Sequence, residues 1–513
     1  MNRSKTAIKN SSIGLFSQVV SIVFQFVTRS VFIKYLGVEM LGISSTFSSV
    51  LNTISLAELG FQSAIVYNLY KPLAEDDKEK VNDTINVLKI IYRFIGIFFI
   101  VAGIACLPFI DKILSKVEIN TTIYLIFIIQ VMNSACSYFL AYKRSLLYAD
   151  RREFMTKLVD MVMNIVINII KIIVVIKTSD YLLYISLTTL QTIVSNLIIH
   201  VISWKIYPYL HKTKFNWDLF KSIWNNVKNL FVGKIAYYIY SSTDYLVISS
   251  LVSTVSVGFM VNYTTIIANL KTLTNSALNP ITPIIGNKLA SDKSGARNEE
   301  VFGAYTYIRY LIAGAIIIPT FVLIQSVITA WVGAEYLLST LIAWLYCLDL
   351  YIHIVHSALC DFINGQGLFK EDRNIEIAGA LSNIVISVLL AIKFGIAGVL
   401  IGTIISQMVF WIGRSVVAYK NCFKNVAGGL RKYWQMNIIY FIVFAILSFV
   451  LSWVYQKIAI GFFPIRFIVG GIICEVVFAA VVLLLFGRTE QHKQVVDIIK
   501  NNILIKKFGV KKQ

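Results

Sequence analysis

The chain has 513 residues, of which 57% are hydrophobic and 14% are charged, and its formal net charge is +20 at pH 7. A soluble protein carries about 25% charged residues, so this composition excludes an ordinary soluble enzyme. The basic residues stand in short loops between apolar segments, and no contiguous basic domain is available to follow a nucleic-acid backbone. We therefore expect no nucleic-acid partner. The six cysteines are scattered without C-x-x-C spacing, which predicts packing residues rather than disulfides or zinc ligands.

Apolar segments recur along the whole chain, and each is long enough to cross about 30 Å of hydrocarbon. They predict an all-α polytopic membrane protein with about fourteen transmembrane helices. The first segment follows basic residues but lacks an A-x-A site, so it predicts a span rather than a removed signal peptide. The predicted spans are 12–34, 42–68, 85–107, 119–141, 154–177, 181–204, 224–249, 254–279, 301–326, 334–358, 373–393, 395–419, 436–456 and 463–487.

Lysine and arginine are concentrated in alternate loops and in the C-terminal tail, which predicts that both termini lie in the cytoplasm. No loop is long enough to hold a soluble catalytic domain, and no G-x-x-x-x-G-K-[ST] motif occurs. We therefore expect neither an enzyme nor an ATPase. The tail from about residue 491 alternates apolar residues with lysines, which predicts an amphipathic helix on the cytoplasmic surface, with a disordered tail as the alternative.

Polar residues recur at one spacing in two parts of the chain. Ser45 precedes Asn262 by the same interval as Asn52 precedes Asn269. A second set, at 130, 134 and 137, precedes another at 349, 353 and 356 in the same way. Polar atoms in hydrocarbon are costly unless they face protein or water. The duplication predicts an N-lobe over 1–215 and a C-lobe over 216–420 that face one polar cavity, with two further helices and the tail in 421–513.

Four polar residues of the first span, Gln18, Ser21, Gln25 and Arg29, follow 3–4 spacing and share one helix face. A charge near the middle of a membrane costs about 2.5–3.5 kcal/mol on translocon scales, so it usually faces a wet path or a partner. Arg29 is therefore predicted either to face a cavity or to extend to the outer surface.

The seventh span carries Lys234 and Asp244 on its predicted wet side. Asp244 is predicted to pair with Arg29 or with Lys234, and a purely structural salt bridge is the alternative. Arg309 occupies the position in the second half that Arg93 occupies in the first. Basic residues outnumber acids toward the interior, which favours an anionic substrate such as a phosphate or pyrophosphate.

Asp349, His353 and His356 stand on one face of the tenth predicted span. Histidine titrates near neutral pH, so one hypothesis is a proton-coupling site. Zinc binding would need a further ligand from elsewhere, and plain hydrogen bonding between helices is the third hypothesis. The sequence leaves all three open.

Short segments between about residues 10 and 490 occur in an order typical of one family. They are N-S-S-I-G at 10–14 with Arg29, Y-L-G at 35–37, L-G-I at 41–43, A-E-L-G at 57–60, Y-K-P-L-A at 70–74, L-Y-A-D at 147–150, T-D at 243–244, V-G at 257–258 and N-Y at 262–263. Together with the span layout, they resemble the polysaccharide-transporter branch of the MOP (multidrug, oligosaccharidyl-lipid, polysaccharide) flippases, and within it the Wzx-type O-antigen and capsule repeat-unit flippases.

The resemblance implies two six-helix lobes in a V-shaped MOP/MATE-like arrangement around a cationic cavity, plus two C-terminal helices that provide a groove for a polyprenyl tail. It implies that the chain moves an undecaprenyl-pyrophosphate-linked oligosaccharide to the outer leaflet of a bacterial plasma membrane. Coupling to H⁺ or Na⁺ without a bound cofactor is implied too, with membrane lipids and the polysaccharide polymerase machinery as further partners.

On this basis the candidate residues fall into three groups. The anion-binding candidates are Arg29, Lys234 and Arg309, and the candidates for hydrogen bonds to sugar hydroxyls are Gln18, Gln25, Asn52 and Asn269. The ion-coupling candidates are Asp244, Asp349, His353 and His356.

Three other functions remain as alternatives. A cation-coupled drug exporter of the related MATE branch would depend on intramembrane acids, for which Asp160, Asp244 and Asp349 are available. A lipid II flippase differs from the first hypothesis only in its cargo. A multi-span membrane enzyme is the least favoured, because such enzymes usually display a large outer loop and none is present.

Overall fold

The structure is a computed structural model that describes residues 3–55, 68–70, 72–73, 75–150, 152–224, 243–278, 295–423, 426, 428–458 and 461–497. Helices dominate these ranges, and we label the long ones α1 to α11. They are α1 (Arg3–Ile54), α2 (Lys78–Cys106), α3 (Thr121–Ala149), α4 (Glu153–Thr178), α5 (Tyr181–Ile206), α6 (Thr254–Leu278), α7 (Gly295–Trp331), α8 (Thr340–Gly365), α9 (Phe369–Asn421), α10 (Gly429–Gln456) and α11 (Phe463–Phe486).

Ten helices in the described ranges are long and apolar enough to cross a membrane, which confirms the all-α polytopic class. Two of them contain a break at a glycine. Gly37 interrupts α1 with φ 82° and ψ 164°, and Gly395 interrupts α9 with φ 57° and ψ −132°. Glycine adopts positive φ at no steric cost, so the chain can leave the helical conformation at these two residues. α1 and α9 therefore each consist of two helical segments, as predicted from the span boundaries between 34 and 42 and between 393 and 395. The total of about fourteen spans stays a prediction, because 56–67 and 225–242 lie outside the described ranges.

Polar side chains fix where several helices begin. Asn120 caps α3 by accepting a hydrogen bond from the backbone N–H of Ile123 at 3.1 Å. Asp180 caps α5 in the same way, from the N–H of Leu182 at 2.7 Å. Such caps satisfy backbone donors that have no partner inside the helix, so each apolar segment starts at a defined residue.

The two segments of α9 form an antiparallel hairpin around Gly395. Asn383 Nδ2 donates to Thr403 Oγ1 at 3.2 Å, and Ser387 Oγ donates to the carbonyl of Val399 at 3.3 Å. A Cβ at Gly402 would lie 2.3 Å from Ser387 Oγ, so the backbones approach closely there. Small residues permit this kind of helix packing in membranes.

The chain divides into two compact units, Met1–Val261 and Asn262–Gln513, and the boundary falls inside α6. In the first unit, α1 packs against α4, and α3 packs against α2 and α5. In the second unit, α7 packs against α8, α10 and α11, and α8 packs against α9. The division into 1–215, 216–420 and 421–513 stays a prediction.

Two glycines bring α1 close to the start of α6 within the first unit. A Cβ at Gly42 would lie 2.1 Å from the carbonyl oxygen of Thr254, and a Cβ at Gly258 would lie 2.2 Å from that of Val38. Both neighbours are backbone atoms, which have little freedom to move aside. The crossing therefore requires glycine on both helices.

We expect Gly42→Ala to lower the melting temperature of the purified protein in detergent. Alanine favours a helix over glycine by about 1 kcal/mol, but overpacking costs about 1–3 kcal/mol, so the net effect is destabilising. Gly471→Ala is the matched control, because α11 has open space beside Gly471. Equal melting temperatures for the two variants would show that the α1–α6 crossing is not tightly packed.

Candidate functional site

Arg29 of α1, in the first unit, has a guanidinium whose hydrogen-bonding capacity is not fully used. Its Nη1 atom is buried and has no hydrogen-bond partner in the described part of the chain. The guanidinium lies within electrostatic range of the hydroxyls of Tyr184 and Tyr245. None of the ion pairs between described residues includes Arg29. Arg29 is therefore an inward-directed cation rather than a side chain extended to the surface.

Lys171 of α4 is a second cation beside the same tyrosine. It is 6% exposed, and its Nζ lies 4.9 Å from the centroid of the Tyr184 ring. Within the described ranges it makes no ion pair with a carboxylate. A ring face attracts a cation but does not neutralise it. Two positive charges thus flank Tyr184, and neither has a carboxylate partner among the residues that the structure describes.

Hydrogen bonds hold α1 against α4 near these cations. Thr28 Oγ1 donates to Asn168 Oδ1 at 3.1 Å, and Asn164 Nδ2 donates to Ser21 Oγ at 3.2 Å. Thr28 directly precedes Arg29 in α1. The bonds therefore fix the position of the segment that carries the guanidinium.

Aromatic rings of α1 and α5 line this region. Tyr181 and Tyr184 stack with centroids 5.8 Å apart, and Phe32 meets Tyr184 edge-on at 5.2 Å. Gln130 of α3 donates to the hydroxyl of Tyr181 at 3.5 Å and to Ser44 Oγ at 3.4 Å. We call Arg29, Lys171, Tyr181 and Tyr184 the cation cluster. Gln130 connects this cluster to the polar face of α3.

A pocket of about 410 Å³ opens along that polar face within the first unit. Its volume lies in the range of small-molecule sites, about 300–1,000 Å³. The buried Oδ1 of Asn133 has no partner in the described ranges. Residues from four helices supply its hydroxyls, amides and rings. They include Asn52 of α1 and Ser55 just after its end, Tyr92 of α2, Asn133, Ser134 and Ser137 of α3, and Thr192 of α5.

We call this cavity the α1–α3 pocket. Arg144 lines one side of it and is already paired with Asp160. Its Nη1 and Nη2 donate to the two carboxylate oxygens of Asp160 at 2.7 and 2.8 Å. Its Nε donates to Asn196 Oδ1 at 2.7 Å. A bidentate pair of this kind fixes both side chains, so Arg144 is a rigid wall of the pocket, in contrast to Arg29.

Arg309 lies inside the second unit and is enclosed. It is 3% exposed, and its Nη2 donates to Asp361 Oδ2 at 2.5 Å and to the Tyr305 hydroxyl at 2.7 Å. Its Nη1 donates to the carbonyl of Ile354 at 3.0 Å. These partners occupy Nη1 and Nη2, whereas Nε is buried without a partner in the described ranges. The carboxylate of Asp361 neutralises the charge and so allows an arginine inside α7.

The coupling candidates of α8 also lie inside the second unit. Gln407 donates to Asp349, and Asp349 lies within electrostatic range of Lys271. His353 Nε2 is buried without a partner in the described ranges. In the residues that the structure describes, no group of three or more His, Cys, Asp or Glu is arranged to hold a metal ion. His353 Nε2 is thus an open hydrogen-bonding atom of α8 within the described ranges.

His356 belongs to a separate cluster with Arg414 of α9. Arg414 Nη1 lies 3.1 Å from His356 Nε2, and Arg414 Nε donates to Asp372 Oδ1 at 2.6 Å. Cys360 Sγ lies 3.6 Å from His356 Nε2. The structure therefore separates the three residues that the spacing had grouped, since His356 contacts Arg414 whereas Asp349 contacts Gln407.

The remaining candidates are placed as follows. Gln18 is half-buried, Gln25 is exposed, and Asn269 is half-buried and donates to the Thr265 carbonyl at 2.9 Å. Asp244 is half-buried, and Lys234 lies outside the described residues.

Lys171 is the residue that site prediction from the sequence missed. Its only signal was the 3–4 spacing with Asn164 and Asn168, which puts all three on one face of α4. That face is the one that contacts α1. The lysine could have been selected by asking which intramembrane cation shares a helix face with a polar stripe.

The sequence matches no protein-family model and no curated protein. Among solved structures, the chain is similar to the lipid II flippase MurJ in an inward closed conformation. The TM-score is 0.69, with 17% identity over 94% of this chain and 100% of that chain. It is also similar to a multidrug resistance MATE transporter of the MOP superfamily in an inward-facing conformation, with a TM-score of 0.62 and 14% identity over 82% of this chain and 99% of that chain. A variant of the MATE transporter VcmN of Vibrio cholerae gives a TM-score of 0.51, at 14% identity over 82% of this chain and 98% of that one. The chain therefore has the fold of the MOP superfamily.

Proposed function

We propose that this chain is a transporter that flips a lipid-linked oligosaccharide across a bacterial plasma membrane by alternating access. The cargo is an undecaprenyl-pyrophosphate-linked polysaccharide repeat unit, moved from the cytoplasmic to the outer leaflet. This proposal joins the MOP fold to the resemblance of the sequence to Wzx-type flippases.

The observation that carries the proposal is the cation cluster. Arg29 and Lys171 flank Tyr184 with no counter-charge in the described ranges, and Arg29 Nη1 is left without a hydrogen bond. An unpaired buried charge is costly, and an anionic ligand relieves that cost on binding. A pyrophosphate offers several oxygens to a guanidinium fork and an ammonium, and each charge-assisted hydrogen bond contributes about 1.5–3 kcal/mol.

The α1–α3 pocket supports a sugar as the second part of the cargo. Asn52, Ser134 and Ser137 place amide and hydroxyl groups along it. Sugar hydroxyls both donate and accept hydrogen bonds, as do these side chains. The polar stripe that recurs in the sequence thus supplies a hydrogen-bonding surface in the same unit as the cation cluster.

Cation export of the MATE type is less well supported, because the described acids are largely occupied. Three carboxylates hold an arginine of their own unit, at 2.7, 2.5 and 2.6 Å. They are Asp160 with Arg144, Asp361 with Arg309, and Asp372 with Arg414. A neutralised carboxylate offers little attraction to a cationic drug.

Lipid II is the second candidate cargo, and the similarity to MurJ favours it. It is also a polyprenyl-pyrophosphate glycolipid, so the cation cluster suits both cargoes equally. Only a measurement of cargo distinguishes them.

Asp349 and His353 are our proposed coupling residues. His353 Nε2 is buried without a partner in the described ranges, and one helical turn separates it from Asp349. A proton taken up at this histidine would be close to an acid and would change the charge inside the second unit.

A deletion strain tests the proposed function, with lipid-linked oligosaccharides and surface polysaccharide both quantified. We expect surface polymer to be lost while undecaprenyl-linked units accumulate inside. The chain should not restore growth when the cell's own lipid II flippase is depleted, whereas restoration would identify lipid II as the cargo. Unchanged polysaccharide with new sensitivity to cationic drugs would contradict both and support an exporter.

We expect Ser137→Leu to reduce flipping of the oligosaccharide lipid in proteoliposomes by about tenfold, equal to roughly 1.4 kcal/mol. Leucine removes a hydroxyl from the α1–α3 pocket and fills part of its volume. The matched control is Ser186→Leu on the exposed face of α5, which should transport normally. Equal rates for the two variants would remove the pocket from the sugar-binding proposal.

A further inference from the structure

A second pocket, of about 210 Å³, lies at one end of the second unit. It is bounded by α7, α9 and α10 and by the helical residues 490–497 near the C-terminus. Those residues are held to α7 by two side-chain contacts. The Tyr307 hydroxyl lies 2.9 Å from His492 Nδ1, and Gln494 Nε2 donates to Glu300 Oε1 at 2.6 Å. The pocket is thus a built junction of four elements.

The ionisable residues that line this pocket are mainly acidic, whereas the chain as a whole is basic. Glu299, Glu300 and Glu490 line it, and Lys432 is the cation among its lining residues. The whole chain carries a net charge of +20. In the described ranges none of the three carboxylates forms an ion pair. The pocket therefore attracts cations within a protein that is otherwise basic.

Glu299 is held in place by a side-chain hydroxyl of α9 beside the start of α10. Its Oε1 accepts a hydrogen bond from the Tyr419 hydroxyl at 3.2 Å. A Cβ at Gly429 would lie 2.5 Å from the same oxygen, so the glycine at the start of α10 makes room for the carboxylate. A helix N-terminus favours a negative charge. Glu299 is therefore a fixed anion at this site.

Two buried polar atoms also lack partners here. Asn437 is 2% exposed and Thr306 is 3% exposed, and both line the pocket. Asn437 Nδ2 donates to the Tyr433 carbonyl at 2.8 Å, which leaves its Oδ1 without a partner in the described ranges. Thr306 Oγ1 has no partner there either. Two buried oxygens that line one pocket without partners can accept hydrogen bonds from a ligand there.

Aromatic rings complete the lining. Tyr433 and Tyr440 both border the pocket. Tyr440 is fixed by stacking on Tyr310 with centroids 4.3 Å apart, and Tyr433 lies 5.4 Å from Phe302. Fixed ring faces beside carboxylates attract an organic cation on an apolar stem.

We propose that this pocket binds a primary ammonium group. An ammonium has three N–H donors and no acceptor, so it suits the Glu299 carboxylate. Thr306 lies seven residues further along α7, a rise of about 10 Å, so Thr306 Oγ1 and Asn437 Oδ1 are placed to accept from the second amine of a diamine. The described residues contain no group of three or more His, Cys, Asp or Glu that could hold a metal ion, so an organic cation fits better than a divalent metal. The ammonium belongs either to a free aliphatic diamine or to the head group of an ethanolamine phospholipid. Its binding would link residues 490–497 to α7 and α10.

Ligand-dependent thermal stability of the full-length protein tests this proposal. In nanodiscs of phosphatidylglycerol alone, we expect 1,4-diaminobutane to raise the melting temperature of the wild type saturably. Glu299→Gln and Thr306→Val should each weaken that binding at least tenfold. Asp497→Asn is the matched control, because Asp497 is an exposed acid of the same helical segment outside the pocket, and it should respond as the wild type does.

Nanodiscs that contain phosphatidylethanolamine distinguish the two sources of the ammonium. If the lipid is the occupant, these discs raise the melting temperature of the wild type but not of Glu299→Gln, and the diamine adds nothing. If the free amine is the occupant, the diamine raises the melting temperature of the wild type and phosphatidylethanolamine does not. The proposal is wrong if neither source stabilises the wild type, or if Glu299→Gln and Thr306→Val respond as Asp497→Asn does. Melting temperatures without ligand establish that each variant is folded.

Discussion

Replacing Arg29 by alanine is expected to reduce binding of a polyprenyl pyrophosphate by about 10- to 100-fold. The guanidinium has no carboxylate partner in the described ranges, and its Nη1 is left free there. Loss of one or two charge-assisted hydrogen bonds at about 1.5 kcal/mol or more each gives a change of this size. The fold should be unaffected, because no described ion pair is broken.

Binding of undecaprenyl pyrophosphate to the purified protein in nanodiscs, compared with undecaprenol, measures this effect. Arg93→Ala is the matched control, since Arg93 is an exposed arginine of α2 in the same unit. We expect it to bind as the wild type does. If Arg29→Ala and Arg93→Ala lose affinity equally, the effect is one of overall charge and the cation cluster is not the anion site.

Lys171→Met extends this test to the second cation. Methionine keeps an unbranched apolar stem beside Tyr184 but removes the ammonium, which lies 4.9 Å from the ring centroid. If both cations hold the same anion, the double variant should lose less affinity than the sum of the single losses, because sites that share a ligand are not additive. Full additivity would place the two cations on different ligands.

Breaking the Arg309–Asp361 pair is expected to have the largest effect on stability. The guanidinium is 3% exposed and lies 2.5 Å from the carboxylate. Asp361→Ala would leave this cation buried without its counter-charge, which costs about 3–5 kcal/mol. The melting temperature in detergent should fall sharply as a result.

Two further variants define the cause of that loss. The double variant Arg309→Met/Asp361→Leu removes both charges and should recover most of the stability. Glu153→Ala breaks the exposed Lys157–Glu153 pair, which spans 2.8 Å, and such pairs contribute at most about 1 kcal/mol. A double variant as unstable as Asp361→Ala would show that packing, and not the uncompensated charge, causes the loss.

Arg29 and Arg309 show how far the sequence carried the site prediction. Both are arginines inside apolar segments, and both were predicted to bind anions. The structure gives Arg309 an acid 52 residues further along the chain, whereas it gives Arg29 none in the described ranges. Local spacing contains no information about a partner on another helix. The sequence could therefore select intramembrane cations but could not separate an arginine that has a carboxylate partner from one that has none in the described ranges.

The class of fold was easier to predict, because hydropathy over a long segment depends on composition and not on tertiary contacts. Breaks at Gly37 and Gly395 also agree with the predicted ends of spans. The α8 cluster was harder. Asp349 and His356 share a helix face but contact different residues of α9, Gln407 and Arg414. Helical periodicity predicts on which face of a helix a side chain lies, but it cannot predict which residue of the neighbouring helix that side chain contacts.

The hairpin of α9 has a consequence for the order in which this protein assembles. The side-chain bonds between its two segments join residues that are close in sequence, from Ser387 and Val399 to the wider pair of Asp372 and Arg414. Contacts across such short separations form with little loss of chain entropy. Both segments can therefore enter the bilayer as one preformed pair, and the polar groups of Asn383 and Thr403 bond to each other before they meet lipid. The later helices would then be added to a hairpin whose two segments are already joined by hydrogen bonds.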